Sequence, residues 1–304
     1  MKMEEIVKEK LRAVFKDDSL IFDKSRFAGG LTNYNYIMEI NGLEYVVREP
    51  GGMTNEMIDR KIEKVNNTIV SEIGVNSRCI YFDDETGVKI SIYIKNSKNI
   101  AMANPCDFSN IDAVSSIMKK IHFSESRFPN SFDFKTELEK YEEIVKALKG
   151  DFFFDYFDLK NYLLSFMNEN IKNPISLPCH NDTVPENFIL DDSGATYLID
   201  WEYSGMNDPN WDIAAYILES HLDEDSIDFL IKKYYDRTAT VEEILKIKSY
   251  ILAQDLLWTV WALIRHYNGD DFLEYCYMRY ERFKKNMEKI MLSKDYPIFE
   301  MVKC

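Results

Sequence analysis

The sequence is short of basic residues, has few cysteines and contains no long apolar run. Lys and Arg together number 37 against 52 Asp and Glu, which gives a net charge of −15 at pH 7. Proteins that bind nucleic acid present basic patches to the phosphates, so this balance argues against such a partner. It is compatible with a cationic substrate, because an acidic cleft concentrates cations, and equally with a charge that serves only solubility.

The five cysteines are scattered, with no C-x-x-C pair and no histidine at metal-ligand spacing. This pattern predicts neither disulfides nor structural zinc and fits a reducing cytoplasm. Residues 1–18 are too charged for a signal peptide. The longest candidate for a membrane span, residues 251–264, is interrupted by Gln254 and Asp255, so we expect a cytoplasmic protein without a membrane span.

The chain is long enough for one large domain or two lobes, since it has 304 residues of which 46% are hydrophobic. Apolar residues at helical spacing predict an opening helix over 3–16, and a second helix is predicted over 55–73. Alternating segments predict an antiparallel sheet of five strands, at 21–27, 34–40, 44–48, 78–82 and 87–94. From residue 107 onward the pattern is mainly helical.

One segment of the second half breaks this helical pattern. Two short apolar runs, 188–190 and 196–199, are separated by the turn-forming sequence D-D-S-G and predict a β-hairpin. Asp182 and Asn187 lie on the segment that enters the hairpin, and Asp200 lies at its exit. The three side chains are therefore expected to converge at one end of the hairpin.

These three side chains suit phosphoryl transfer. An Asp at position 182 would accept the hydrogen bond of an attacking hydroxyl, while Asn187 and Asp200 would hold Mg²⁺ against the nucleotide phosphates. Oxygen ligands from two separate segments suit Mg²⁺, which completes its shell with water and phosphate. The alternative is that they are polar residues of ordinary turns around a hairpin.

The sequence HND-x4-N, followed by LIDWEYSGMNDPNWDIA, resembles the choline/ethanolamine kinase family, especially its bacterial members. That family belongs to the small-molecule kinases of protein-kinase-like fold, which include the aminoglycoside phosphotransferases. The resemblance implies an α+β fold in two lobes with ATP and Mg²⁺ as cofactors. Residues 1–95 would form a nucleotide-binding lobe of five antiparallel strands plus a helix. Residues 96–304 would form a mainly helical lobe that carries the catalytic hairpin and the substrate site.

The resemblance also implies roles for residues around the hairpin. His180 would anchor the catalytic loop, and Asp212 would hydrogen-bond the backbone of that loop. Glu202 stands where protein kinases have the Gly of D-F-G, and it is expected to join the metal ligands or to reach a substrate amine.

Matches in the first lobe imply a nucleotide site. The segment GGLTN stands where the family has its nucleotide loop, and a Gly pair lets backbone N–H groups approach phosphate closely. Arg48 would replace the strand lysine of protein kinases, with Glu63 as its partner and a bidentate fork toward phosphate. The backbone near Ile92 and Ile94 would meet adenine. The residues implied for this site are Gly29, Gly30, Thr32, Asn33, Arg48, Glu63, Ile92 and Ile94.

A second informative segment is the W-x-x-W sequence of Trp258 and Trp261, which share one face of a predicted helix. Such a pair is more typical of a protein core, but it resembles the family segment that supplies aromatic walls for a trimethylammonium group. That group donates no hydrogen bonds and is held by cation–π contacts. The residues implied for the substrate site are Tyr203, Glu219, Trp258, Trp261 and Tyr275 or Tyr277.

The sequence therefore predicts a kinase that phosphorylates the hydroxyl of choline, as a monomer or a homodimer. An ethanolamine kinase would share nearly all catalytic residues, although a primary ammonium favours carboxylates over aromatic walls. An aminoglycoside kinase needs a wide acidic cleft and gives no reason for W-x-x-W.

Two more distant readings are disfavoured. A protein kinase has no room for its activation loop, because ten residues separate Asp200 from Trp211. A non-catalytic pseudokinase that only binds choline is opposed by the joint presence of Asp182, Asn187 and Asp200.

Overall fold

The computed structural model describes residues 3–29, 33–51, 54–172 and 174–303. Gly30 and Thr32, both expected in the nucleotide site, lie outside these residues. Within the described ranges, none of the helices combines the length and the apolar character that crossing a bilayer requires.

The first part of the chain forms the predicted antiparallel sheet of five strands. Helix α1 (Met3–Phe15) packs against one face of it. The strands are β1 (Phe22–Gly29), β2 (Asn33–Ile40), β3 (Leu43–Pro50), β4 (Cys79–Phe82) and β5 (Lys89–Ile92), in the spatial order β1-β2-β3-β5-β4. Asn41 and Gly42 both have positive φ, 51° and 76°, as the tight turn between β2 and β3 requires. The sheet prediction is confirmed.

The helix predicted over 55–73 is broken in two, which corrects that prediction. Helix α2 (Thr54–Met57) ends before Asp59, and helix α3 (Arg60–Ile73) starts after it. Asp59 is extended, and its carboxylate accepts hydrogen bonds from the backbone N–H groups of Lys61 and Ile62. Asp59 therefore caps the start of α3. Aspartate is favoured at such a capping position and disfavoured inside a helix, so α2 does not continue through it.

The remaining strands all belong to the second part of the chain. They are β6 (Ser97–Asn99), β7 (Leu177–Cys179), β8 (Phe188–Asp191), β9 (Thr196–Leu198) and β10 (Gly205–Asn207). Strands β8 and β9 form the predicted hairpin. Strand β6 pairs with the outer side of β8, and β7 pairs with β10; the sequence predicted neither pairing.

Helices make up most of this second part. They are α4 (Ile100–Ala103), α5 (Phe108–His122), α6 (Phe134–Ala147), α7 (Tyr156–Asn170), α8 (Asn210–Glu219), α9 (Glu224–Tyr235), α10 (Val241–Tyr267), α11 (Leu273–Leu292) and α12 (Ile298–Met301). Helix α10 packs against α6, α7, α8 and α11. Residues 246–265 of α10 are buried on all sides, which explains their lack of a polar face. This packing fixes the W-x-x-W segment in place.

Candidate active site

The loop after β7 is held by a buried carboxylate. Asp212, near the start of α8, accepts hydrogen bonds from the backbone N–H groups of His180 at 2.8 Å and Asn181 at 2.7 Å. Asn181 has a φ of 68°, so the backbone turns sharply at this point. Asp212 therefore makes the hydrogen bonds to the loop backbone that the sequence led us to expect.

His180 fixes the same loop from inside. Its Nε2 donates to the carbonyl of Ile199 at 2.8 Å, and its Nδ1 accepts from the N–H of Asp182 at 3.2 Å. Burial lowers the pKa of His180, in keeping with a neutral ring that donates at one nitrogen and accepts at the other. The ring thus connects Asp182 to the residue that precedes Asp200.

The structure brings together the three oxygen-bearing side chains of the predicted catalytic group. Asn187 ends a short 3₁₀ turn before β8, and its Nδ2 donates to the carbonyl and to the carboxylate of Asp182, at 2.9 and 3.3 Å. Since the amide nitrogen is used in this way, the amide oxygen of Asn187 is the atom that could bind a cation. Asp200 follows β9 with a φ of 67°, an uncommon conformation for a residue other than Gly.

Asp182 lies among negative charges. Burial, and then the carboxylates of Asp200, Glu219 and Glu202, raise the pKa of Asp182 well above its ordinary value. A carboxylate with a raised pKa is a better proton acceptor once it is ionised. The shift is therefore suited to a group that receives a proton from a hydroxyl.

A cluster of buried charges connects the sheet to Asp200. Arg48 on β3 binds Glu63 on α3 through Nη1–Oε1 at 2.6 Å and Nη2–Oε2 at 2.9 Å. Its Nη1 is also 3.3 Å from Oδ1 of Asp200. Burial alone would raise the pKa of Glu63, but the charges of Arg48, Lys89 and Arg60 lower it to about 2. The expected Arg48–Glu63 pair is thus present, and it reaches the predicted metal ligand.

Glu202 occupies this buried cluster rather than the cavity. Its Oε2 accepts from Nδ2 of Asn33 at 2.9 Å and from Nη1 of Arg60 at 3.1 Å. Burial and the nearby charge of Asp200 raise the pKa of Glu202 to about 7. Oε2 of Glu202 is thus bound by groups of the sheet and of α3, and the role of Glu202 as a metal ligand stays a prediction.

A cavity of about 780 Å³ lies between the sheet and the helical part, a size typical of ligand sites. The predicted residues that line it are Asn33, Arg48, Ile92, Ile94, Asp182, Asn187, Asp200, Tyr203, Glu219, Trp258, Trp261 and Tyr275. Residues proposed for the nucleotide, for the metal and for the substrate therefore share one cavity, whereas Glu63, Glu202 and Tyr277 do not line it.

One wall of the cavity is aromatic. The ring centroids of Tyr203 and Trp258 are 5.3 Å apart, those of Trp258 and Trp261 are 6.3 Å apart, and those of Trp261 and Tyr275 are 6.4 Å apart. Each pair is close to perpendicular, which is a favourable arrangement for aromatic rings. Glu219 lies at the same cavity.

Tyr277 is not part of this wall. Its side chain is 52% exposed, and its ring packs edge-on against Phe153 with centroids 5.3 Å apart. Of the two tyrosines proposed as alternatives, the structure therefore places Tyr275 in the cavity and Tyr277 outside it.

Two basic residues that sequence reasoning missed also line the cavity. Lys89 on β5 lies close to Glu63, and Arg279 on α11 donates to Glu219. The position of Arg279, four residues after Tyr275 on a helix, could have indicated that both share one face.

A buried group of His122, Cys179 and Asp212 has ligand atoms within 4.8 Å of one another. However, Nε2 of His122 and Oδ2 of Asp212 form a direct hydrogen bond at 2.9 Å. The same Oδ2 accepts from the N–H of His180. These contacts make the group a support for the catalytic loop rather than a metal site.

Comparison with known proteins gives consistent matches. The family model described as choline/ethanolamine kinase matches residues 25–230. "Protein LicA" of Haemophilus influenzae is 31% identical over 269 residues, which cover 86% of this chain and 79% of that protein. The crystal structure of choline kinase LicA from Streptococcus pneumoniae is 30% identical, covers 94% of this chain and 99% of its own, and has a TM-score of 0.83. A crystal structure of LicA in complex with AMP is also 30% identical, covers 95% of this chain and 99% of its own, and has a TM-score of 0.82.

Proposed function

This chain belongs to the choline/ethanolamine kinase family, and we propose that it transfers the γ-phosphoryl group of ATP to the hydroxyl of choline. The observation that carries the choice of substrate is the wall of Tyr203, Trp258, Trp261 and Tyr275 in the cavity that also holds Asp182. A quaternary ammonium cannot donate hydrogen bonds, so faces of aromatic rings are the groups that hold it. The similar LicA from Streptococcus pneumoniae is a choline kinase.

In the proposed reaction, the hydroxyl oxygen of choline attacks the γ-phosphorus of ATP. The bond from that phosphorus to the β–γ bridging oxygen breaks, and the products are phosphocholine and ADP. Asp182 orients the hydroxyl and takes its proton, which its raised pKa favours. Asp212 and His180 hold the backbone on which Asp182 lies.

Asn187 and Asp200 are the proposed Mg²⁺ ligands. They offer an amide oxygen and a carboxylate from the two ends of the hairpin, a hard oxygen set that fits Mg²⁺. When bound, Mg²⁺ neutralises charge on the phosphates during transfer. Asp200 is also in contact with Arg48, so its carboxylate is oriented from the sheet side.

Arg48 and Asn33 are proposed to meet the triphosphate, and the backbone around Ile92 and Ile94 to meet adenine. These residues line the sheet side of the cavity. A nucleotide at such a site is supported by the AMP bound to the similar LicA. We place the boundary of the two lobes after residue 95, because β6 (Ser97–Asn99) already pairs with the catalytic hairpin.

Ethanolamine is the second candidate substrate, and the observation in its favour is the carboxylate of Glu219 at the aromatic wall. A primary ammonium donates three hydrogen bonds and would use such an acceptor. At the same end of the cavity, ethanolamine would therefore require hydrogen-bond acceptors, whereas choline would require aromatic faces.

The test is ADP release from Mg·ATP with choline, ethanolamine and kanamycin as separate acceptors. We expect the highest kcat/KM with choline. Turnover of ethanolamine alone would retain the kinase but reject the cation–π assignment of the tryptophans. Turnover of kanamycin alone would reject the substrate class, and binding of choline without turnover would support a pseudokinase.

A further inference from the structure

Arg279 is a buried cation at the aromatic end of the cavity. Its side chain is 2% exposed, and it uses each of its three nitrogens for a different partner. Nη2 donates to Oε1 of Glu219, Nε donates to the hydroxyl of Tyr275 at 3.0 Å, and Nη1 donates to Oδ1 of Asp255 at 3.1 Å. Three helices, α8, α10 and α11, therefore meet at one guanidinium group.

Asp255 holds the guanidinium of Arg279 in place. Asp255 is fully buried and also binds Arg282 through Nε–Oδ2 at 2.9 Å and Nη2–Oδ1 at 2.6 Å. Because Asp255 lies between two arginines, it holds Arg279 in one orientation. A planar fork held in this way is pre-organised for its remaining partner, Glu219.

This arrangement affects the two candidate substrates differently. Arg279 occupies one oxygen of Glu219 and an acceptor position on the Tyr275 hydroxyl. A primary ammonium needs such acceptors for its three N–H groups, and leaving a buried donor unsatisfied is costly. A trimethylammonium group has no N–H donors. It therefore loses no hydrogen bond when Arg279 uses the acceptors of Glu219 and Tyr275.

We propose that Arg279 is a specificity-determining residue that makes this site favour a quaternary over a primary ammonium by engaging Glu219. The inference rests on the proposed function, because it concerns the choice between two acceptors of the same kinase. Arg279 acts through Glu219 and does not take part in phosphoryl transfer.

The test is the ratio of kcat/KM for choline to kcat/KM for ethanolamine. Arg279→Met keeps an unbranched apolar stem but removes the guanidinium and so releases Glu219, and we expect it to lower this ratio about tenfold or more. When Arg279→Met is added to Glu219→Gln, the choline-to-ethanolamine ratio should stay within about twofold of that of Glu219→Gln alone. In this background the group that Arg279→Met releases is an amide and no longer a carboxylate.

Arg282→Gln is the matched control. It removes the second buried arginine that binds Asp255, through Nε–Oδ2 and Nη2–Oδ1. Its ratio should stay within about twofold of the wild type. A shift as large as that of Arg279→Met would show that disturbing Asp255 is sufficient, and it would overturn the proposal.

A substrate series tests the inference without any variant, in case Arg279→Met does not fold. Ethanolamine and its mono-, di- and trimethyl derivatives differ in the number of N–H donors, and wild-type kcat/KM should rise as donors are lost. An unchanged ratio in a folded Arg279→Met overturns this proposal alone. A wild type that prefers ethanolamine overturns it together with the choice of choline as the preferred acceptor. A wild type that phosphorylates no member of the series overturns the proposed function as well.

Discussion

Arg48 and Glu63 form two parallel hydrogen bonds, at 2.6 and 2.9 Å, in a region where their side chains are 3% and 0% exposed. The pair connects β3 to α3, and Nη1 of Arg48 also lies 3.3 Å from Oδ1 of Asp200, which follows β9. A buried pair of this geometry orients the guanidinium as well as neutralising it. The sheet is thereby aligned with the catalytic hairpin.

Replacing Glu63 by Gln should destabilise the protein. The change removes the negative charge that both Arg48 and Arg60 bind, while the two arginines stay buried. This should lower the free energy of unfolding at pH 7 by about 3 kcal/mol or more. Urea unfolding measures the difference. Glu72→Gln, an exposed change on the same helix, is the control and should lie within about 0.5 kcal/mol of the wild type.

The same variant has a defined pH dependence. The pKa of Glu63 is lowered from 4.5 to about 2 in the folded state, so the unfolded chain binds the proton more readily. The stability that the ionised Glu63 contributes is present above pH 4.5 and is lost as the pH falls toward 2. The difference between wild type and Glu63→Gln should be constant from about pH 5 to 7 and shrink below that range. A difference that grows on acidification contradicts this assignment.

Asp212→Asn should impair catalysis more than binding. One of the two oxygens that accept from His180 and Asn181 becomes an NH₂ group facing a backbone donor, so the loop that carries Asp182 shifts. We expect kcat to fall about a hundredfold while the KM for ATP changes little. Steady-state kinetics and the melting temperature are measured together, with Asp223→Asn, the cap of α9, as control. A kcat within about twofold of the wild type would exclude this positioning role.

Much of the site could be predicted from sequence because its signals are local. The hairpin follows from two apolar runs around a turn, and the spacing of Asp182, Asn187 and Asp200 follows from the hairpin. The break before α3 could not be recognised from periodicity, since the apolar pattern continues across Asp59, which caps the new helix.

Other features depend on contacts between distant segments. The pairing of β6 with β8 joins residues more than 80 positions apart, and the partners of Arg279 come from three helices. Tyr275 and Tyr277 are about 200° apart around a helix, so one of them had to face away from the cavity. Only the packing of α11 determines which one.

The aromatic wall predicts a selective effect on choline. Trp258→Leu removes a ring that lies 5.3 Å from Tyr203 and 6.3 Å from Trp261. Without its cation–π contribution, the KM for choline should rise about tenfold with the KM for ATP unchanged. Trp258→Phe keeps an aromatic face and should show a smaller rise. Equal effects of Leu and Phe would mean that the residue only fills space.

The pH profile of the reaction tests the electrostatics of Asp182. Its pKa is raised by burial and by the charges of Asp200, Glu219 and Glu202, and the ionised form must accept the proton. Activity should therefore fall as the pH is lowered. Glu219→Gln removes one of the repelling charges, so the acidic limb of kcat/KM should move to lower pH.

The control for this profile is Glu224→Gln, an exposed change at the start of α9, which should leave the limb in place. A limb that does not move in Glu219→Gln, or that moves to higher pH, contradicts the influence of Glu219 on Asp182.

Phosphoryl transfer to choline is tested most directly by ³¹P nuclear magnetic resonance of a reaction with Mg·ATP and choline. We predict that the wild type forms phosphocholine and ADP in equal amounts. Asp182→Asn should form essentially none while it still binds ATP. Absence of phosphocholine from the wild type, or its formation at an undiminished rate by Asp182→Asn, would contradict the proposed function.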